Sequence, residues 1–517
     1  MVGNDSFKRM LKHCTWLFCA VTLGWVGPAA AFSGFYVAGG ESSLFNDATQ
    51  VAMMRSGTTT VLSMQNNYQG PPEDFAMVIP VPVVLQETSV KTLSNELFQK
   101  MDQLSAPRLV EYWEQDPCYV EPPYDNDRLA SGAVDSANEE AGDPGVVEVE
   151  ASFSVGEYDI VVLSTNDATA LDTWLQDNSY SIPDGASPYF EPYVQEGMYF
   201  FVAKVDITKV TMNGDNLVLS PLRFHYDAET FSLPVRLGLI NSQGEQDLIV
   251  YTLGQGKRYE VANRENVFIP TNIEVVDDVR EDFGTFYRTL FDATLEHSPN
   301  AVVTEYSWDA STCDPCPGPT LNQEDIATLG ADVATDGEFW GWTLTRLHLR
   351  YSAETLGDDL VFAEASPVVG GREMYNEDGE LEETASQSYF NNFQGRYIIR
   401  HRWNQPVNCI LPVYGRWGGP PGDEDYVGTQ TSQSPNSSGD AEAAATGTYD
   451  SGGAGAALGE LVREDVPEIG VKSTYGCACS ATSGGATGFL FIAAFLMFMG
   501  VSKSGSPAPN PITSFPA

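Results

Sequence analysis

From Gln50 onward the chain reads as short apolar segments broken by glycine, proline and acidic turns. "QVAMMRS" (50–56) and "TTTVLSMQ" (58–65) are apolar and β-branched and flank Gly57, which predicts a hairpin. "FAMVIPVPVVL" (75–85) predicts a buried strand that Pro80 and Pro82 end or push to a sheet edge. Leu93, Leu97, Phe98, Met101 and Leu104 then recur at helical spacing. "VEVEASFSV" and "YDIVVLS" predict neighbouring strands, "NDATALDTWLQDN" a helix with Asn166 as its N-cap, and "MYFFVAKVDI" (198–207) a returning strand, together one α/β unit. Segments 217–268 predict an antiparallel run of short strands. Val279, Phe283, Phe286, Tyr287, Leu290 and Phe291 mark the strongest amphipathic helix. "AVVTEYSW", "WGWTLTRLHLRYS", "LVFAEAS" and "RYIIRHRW" predict the closing strands. No period of 20–50 residues emerges, so a solenoid or propeller is disfavoured. The predicted class is α+β: a β-rich ectodomain with mixed and antiparallel sheets, a few amphipathic helices, a flexible acidic tether and a C-terminal hydrophobic helix.

The flanks supply an address. Lys8, Arg9, Lys12 and His13 precede the apolar run 14–27, and Ala29-Ala30-Ala31 follows, the pattern of an export signal cut between Ala31 and Phe32. Residues 32–113 form a first β-rich and α segment, and 114–147 an acidic insertion read as a mobile loop. Residues 148–417 form the main α+β ectodomain. The stretch 418–475 is poor in groups to bury and is read as a disordered tether; its 45 residues from 418 to 462 would span about 35–40 Å as a coil. Segment 476–502 holds an apolar run from Phe489 to Val501, just long enough to cross a bilayer if it recruits the uncharged residues before it, and 503–517 is a tail.

The chain carries 27 basic and 71 acidic residues, a formal net charge of −44. Such a surface repels phosphate backbones and excludes a nucleic-acid partner, and it also argues against adsorption to anionic lipid. The charge reads as a solubility device, with Ca²⁺ as an alternative use of the acids. "NEDGELEE" (376–383) resembles a calcium loop, but Met374 stands where an EF-hand needs an acid. An oxidising compartment favours disulfides among Cys118, Cys313, Cys316 and Cys409. The leading arrangement is Cys313–Cys316 with Cys118–Cys409; the two crossed pairings, a redox-active CxxC and a metal site stay open.

Candidate chemistry is sparse. The exported chain has four histidines, His225, His297, His348 and His401, in no metal-binding spacing; His348 and His401 sit among arginines and read as core or edge residues. No nucleophile elbow or phosphate-cradling glycine loop occurs. "NNYQGPPEDF" (66–75) and "GRWGGPPGDEDY" (415–426) are loops of a kind used for ligand contact or as plain turns. No catalytic, cofactor or metal residue is assigned. The function class is an exported, membrane-anchored surface or envelope protein, non-catalytic, with the membrane and an envelope polymer or protein as partners. The alternative is a secreted, hydrolase-like enzyme using paired carboxylates.

The blocks "TTTVLSMQNNYQGPPEDFAMVIPVPVVL", "LSAPRLVEYWEQDPC", "FSLPVRLGLINSQGEQDLIVYTL", "STCDPCPGP", "LHLRY", "LGDDLVF" and "FQGRYIIRHRW" together resemble the bacterial domain of unknown function (DUF) 2330 family, over roughly residues 33 to 421. The resemblance implies an exported, membrane-associated bacterial protein with an α+β ectodomain and brings no catalytic residues. The tail "GCAC" with its Gly/Ala-rich lead-in and apolar run resembles the myxobacterial C-terminal sorting signal (MYXO-CTERM). That likeness implies processing or anchoring at Cys477 or Cys479; Lys503 stands where that family ends in a run of arginines.

Overall fold

The hairpin around Gly57 seeds the largest sheet. Strands Phe45–Ser56 and Thr59–Gln69 pair in antiparallel register, Ser56 opposite Thr59, with Gly57 at a φ of 55° in the two-residue turn. The structure is a computed structural model. It describes residues 35–38, 45–69, 75–118, 149–178, 186–213, 216–241, 244–314, 316–371, 381–420, 431–432, 453–463, 466 and 468–473. The expected export signal and its Ala31–Phe32 junction, most of the acidic insertion, "NEDGE" at 376–380, and Cys477 and Cys479 lie outside them.

An eleven-stranded sheet forms the middle of the molecule. Its central strands are Val302–Asp309, Trp342–Tyr351, Gln246–Gln255, Phe45–Ser56, Thr59–Gln69 and Leu222–Asp227, in that spatial order. Neighbours run antiparallel except Gln246–Gln255 beside Phe45–Ser56, which is parallel. The segments 217–268 are thus not one antiparallel run: they are shared among several sheets, because each strand pairs where its apolar face is covered.

Both faces of this sheet are covered, which explains continuous apolar runs such as "VAMM". Val51, Met53, Leu248, Val250, Leu347 and Leu349 face a second, five-stranded antiparallel sheet through Met77, Ile79, Ile160 and Phe201. Ala52, Met54, Ile249, Tyr251 and Leu344 face helix α1 (Asn95–Ser105), which buries Leu97, Phe98, Met101 and Leu104, four of the five expected positions; Leu93 lies just before its N-cap Ser94. The outer side of the five-stranded sheet is closed by α2 (Ala168–Asp177) and α3 (Ser187–Gln195) through Leu171, Leu175, Phe190 and Tyr193. The order of layers is helix, sheet, sheet, helix.

One local expectation is corrected here. The N-cap of α2 is Asp167, not Asn166: its carboxylate accepts the Thr169 N–H, the bond that fixes the first turn. The 148–207 unit has the expected order of strands, helix and returning strand with a second helix, α3, added, and Tyr158–Leu163 and Tyr199–Val205 are adjacent and antiparallel.

The strong amphipathic stripe becomes α4 (Phe283–His297). It covers a third sheet in which Ile273–Glu274, Arg396–His401 and Arg108–Glu114 run parallel, and Trp417–Gly418 and Thr431–Ser432 pair antiparallel with the far side of Arg108–Glu114. Leu109, Tyr397 and Ile399 meet Phe283, Phe286 and Leu290 there. A helix at Gly453–Leu461 lies against the same cluster with Ala454 and Leu458 fully buried. The tether expectation fails over these residues. A small-residue helix buries little area per residue, but Ala454 and Leu458 complete an apolar surface that α4 presents, and Arg463 and Lys472 pair with Asp277 and Glu265.

Candidate functional site

Among the places where the described residues gather polar or reactive side chains, three differ in access to solvent. The first lies under α1 and α4. Alternation along Trp342–Tyr351 points Arg346, His348 and Arg350 to the helix side, opposite Tyr251, Ile249 and Asp247 in register. Glu305 is the extra residue at the irregular step between Thr304 and Tyr306 in the next strand. Arg346 donates to Asp102 of α1 (Nη1–Oδ1 2.6 Å), to Tyr251 Oη (2.9 Å) and to Glu305 (Nε–Oε2 2.6 Å). Glu305 also accepts the hydroxyl of Tyr287 and lies 2.7 Å from His348 Nδ1. His348 Nε2 is 3.4 Å from Asp247, which accepts a two-pronged bond from Arg350; Arg350 reaches on to Asp292 of α4 at 2.7 Å. Phe291 stacks on the His348 ring at 3.9 Å.

Burial by itself would raise the carboxyls, but His348 and Arg346 around Glu305, and Arg350 and His348 around Asp247, hold both at about 2. Burial would push the imidazole down, and the same two carboxylates override it, so His348 titrates above its ordinary value. Glu305 and Asp247 are the closest thing to a convergent carboxylate pair, yet both are wholly buried and held ionised, the reverse of a general acid. This cluster is a core clamp.

The second place is the rim of the third sheet. Glu111 takes a two-pronged bond from Arg280 (2.7 and 2.6 Å) and lies 2.7 Å from His401 Nε2, whose ring stacks on Trp113 at 4.5 Å. Burial raises Glu111, but bonds from Arg280 and His401 outweigh it and leave the carboxyl below its ordinary range. Across the strand, Arg400 and Arg402 lie over the Trp417 ring at 5.2 and 5.9 Å.

The third place grows from that rim and is the most distinctive. The chain leaves Arg396–His401 and returns at Trp417–Gly418, enclosing "WNQPVNCILPVYG" (403–415). Its neck is closed by one buried carboxylate: Glu114 accepts the N–H of Trp403 at 3.0 Å and of Gly415 at 2.8 Å. Val413 N–H donates to Pro117 O at 2.9 Å, Gln115 N–H to Arg416 O at 2.7 Å, and Arg416 to Asp116 O at 2.6 Å. The Cys118–Cys409 disulfide, Cα–Cα 5.6 Å, staples the middle of the loop to the strand end. This is an Ω-loop. Yet Ile410 is 97% exposed, Leu411 85%, and Val413 and Tyr414 57% each. The loop is thus held at its neck and middle while it projects four large apolar side chains into solvent.

The disulfide arrangement in the structure is the leading one: Cys313–Cys316 is the second bridge, Cα–Cα 4.9 Å, with Cys313 against the α1 core. Among the described residues no cluster of three or more His, Cys, Asp or Glu is placed to hold a metal, and no helix is long and apolar enough to cross a membrane. The Ω-loop was not read from the sequence, although two signals mark it: the apolar run "ILPVY" directly after a cysteine, and the absence of any acid between Glu383 and Asp423 while four arginines and His401 fall in that interval.

No curated protein matches the chain. The crystal structure of baculovirus P35 is similar over 42% of this chain and 66% of that one, at 13% identity and a TM-score of 0.21, an overlap too loose to inform function. The sequence profile of one family matches residues 27–363, well over half the chain, and ends before strand Arg396–His401 and the 403–415 loop. The chain belongs to the family described as "Uncharacterized protein conserved in bacteria (DUF2330)".

Proposed function

We propose that this is an exported, membrane-anchored bacterial envelope protein whose folded body is a non-catalytic binding module working through the 403–415 loop. The observation that carries the reading is the loop itself: a neck closed by Glu114, a disulfide staple, and Ile410 and Leu411 turned out to water. Binding by a preorganised loop avoids the entropy of ordering it. Export rests on the N-terminal signal pattern ending at Ala31, and anchoring on the apolar run after Cys477 and Cys479 and its likeness to the myxobacterial sorting tail. The paired-carboxylate hydrolase finds no support in the buried, ionised Glu305 and Asp247.

The test is a titration of the full chain onto envelope fragments from cells lacking it. An Ile410→Ser/Leu411→Ser variant should bind at least about tenfold more weakly, since each side chain is worth roughly 1.5–3 kcal/mol on burial. Unchanged affinity would defeat the loop reading. Envelope-bound protein beginning at Met1 rather than Phe32 would defeat export.

A further inference from the structure

Taking the loop as the working surface, we infer that its partner is an anionic lipid bilayer: Ile410, Leu411, Val413 and Tyr414 enter the headgroup–acyl boundary while Arg402 and Arg416 meet lipid phosphates. The inference rests on the binding reading above and names the partner. Three observations support it.

The tip is convex. Side chains exposed to 97% and 85% project from the surface, and they suit a fluid medium that closes around them; a protein partner would need a socket shaped to fit. The residues behind the tip are those of an interfacial belt. Trp417 lies under Arg400 and Arg402, Trp403 is half-buried at the neck, and Tyr414 has an apolar ring with a polar end. Local charge opposes global charge. No acid occurs from residue 384 to 422 in a chain with 71 of them. Among the described residues, the acids that reach the loop's base have partners. Glu114 closes the neck, Glu111 pairs with Arg280 and His401, and Glu274 with Arg400; Asp116, exposed, accepts the Cys118 N–H. An anionic surface would repel most of the molecule and attract this end, so charge would orient the body as well as hold it. The expectation that net charge opposes lipid adsorption thus applies to the whole chain and not to this face.

Hydrogen exchange on the full chain tests this, because it reads the loop separately from any contact made by the apolar tail. Vesicles of phosphatidylcholine with a minority of phosphatidylglycerol should slow exchange across Ile410–Tyr414 about tenfold or more, and pure phosphatidylcholine should slow it less. Ile410→Ser/Leu411→Ser should abolish the slowing. Arg402→Glu should weaken the preference for anionic vesicles while leaving the melting temperature near that of the parent. Vesicle-bound protein whose loop exchanges as fast as in free solution would overturn the inference. Loop protection by delipidated envelope protein and not by vesicles would overturn it too, yet leave the binding module standing; protection by neither would sink both.

Discussion

Glu305 is sealed from water and still ionised, so its neighbours must supply what water would. Three cationic side chains (Arg346, His348, Arg350) are threaded between four carboxylates (Asp102, Glu305, Asp247, Asp292), and each link joins a helix to the central sheet or one strand to the next. Such a clamp adds little net stability over an apolar core of equal volume, but it punishes the loss of one member. Arg346→Met should cost about 3–5 kcal/mol in urea unfolding, because it removes the guanidinium that pairs both carboxylates, leaving Asp102 the Tyr251 hydroxyl and Glu305 only His348 and Tyr287. The pH dependence has two limbs. Glu305 and Asp247 are lowered, so their contribution is full above the unfolded carboxylate range of about 4 and fades as pH falls towards 2. His348 is raised, so its contribution is full below its unfolded value of about 6.5 and fades as pH climbs through the raised folded value. Stability measured from neutral to alkaline pH should decline in the parent chain and flatten in His348→Gln. An equal slope in both would place the protonation elsewhere.

At the scale of elements, what was legible followed local rules and what was not depended on distant partners. The helical stripe from Leu97 to Leu104 became α1 and that from Phe283 to Phe291 became α4, since a buried face at a period of 3.6 has few alternatives. The antiparallel return of Tyr199–Val205 and the parallel match of Gln246–Gln255 to Phe45–Ser56 were not legible, because strand partners are set by which faces meet. The histidines read as core or edge residues sit there: His348 on a central strand, His401 at a strand end. The Ω-loop escaped because its closure is by Glu114, some 290 residues away in sequence, and nothing local in "WNQPVNCILPVYG" reveals that carboxylate. Glu114→Ala should therefore act on both loop ends together. The amides of Trp403 and Gly415 should lose exchange protection and stability should fall by about 1–3 kcal/mol. Protection retained at either amide would show that the neck is closed by something else. Opening the staple with Cys118→Ser/Cys409→Ser should lower stability by up to roughly 5–6 kcal/mol on a chain-entropy estimate and quicken proteolysis between residues 403 and 415.

At the scale of the whole molecule, the segment after the third sheet changes the picture of how the body is carried. Gly453–Leu461 lies on α4, Leu461 O accepts the Val276 N–H, and the chain continues along the edge strand Asn266–Phe268, where Phe268 N–H donates to Val471 O and Ser473 N–H to Asn266 O. A coil of 45 residues is thus not what joins the body to Cys477. Only four peptide steps separate Ser473 from Cys477, a reach of about 13–14 Å when fully extended. The strap is also part of the fold, and that is directly testable. Leu458 is fully buried among Phe286, Leu290 and their neighbours, so Leu458→Ala should cost about 2–5 kcal/mol. A chain ending at Gly452 should unfold at clearly lower urea than one ending at Ser473 and should bind a dye that reports exposed apolar surface, because the face of α4 that Ala454 and Leu458 cover would open to water. A mere tether would leave the two truncations equally stable, and that result would return 453–473 to the role of a leash.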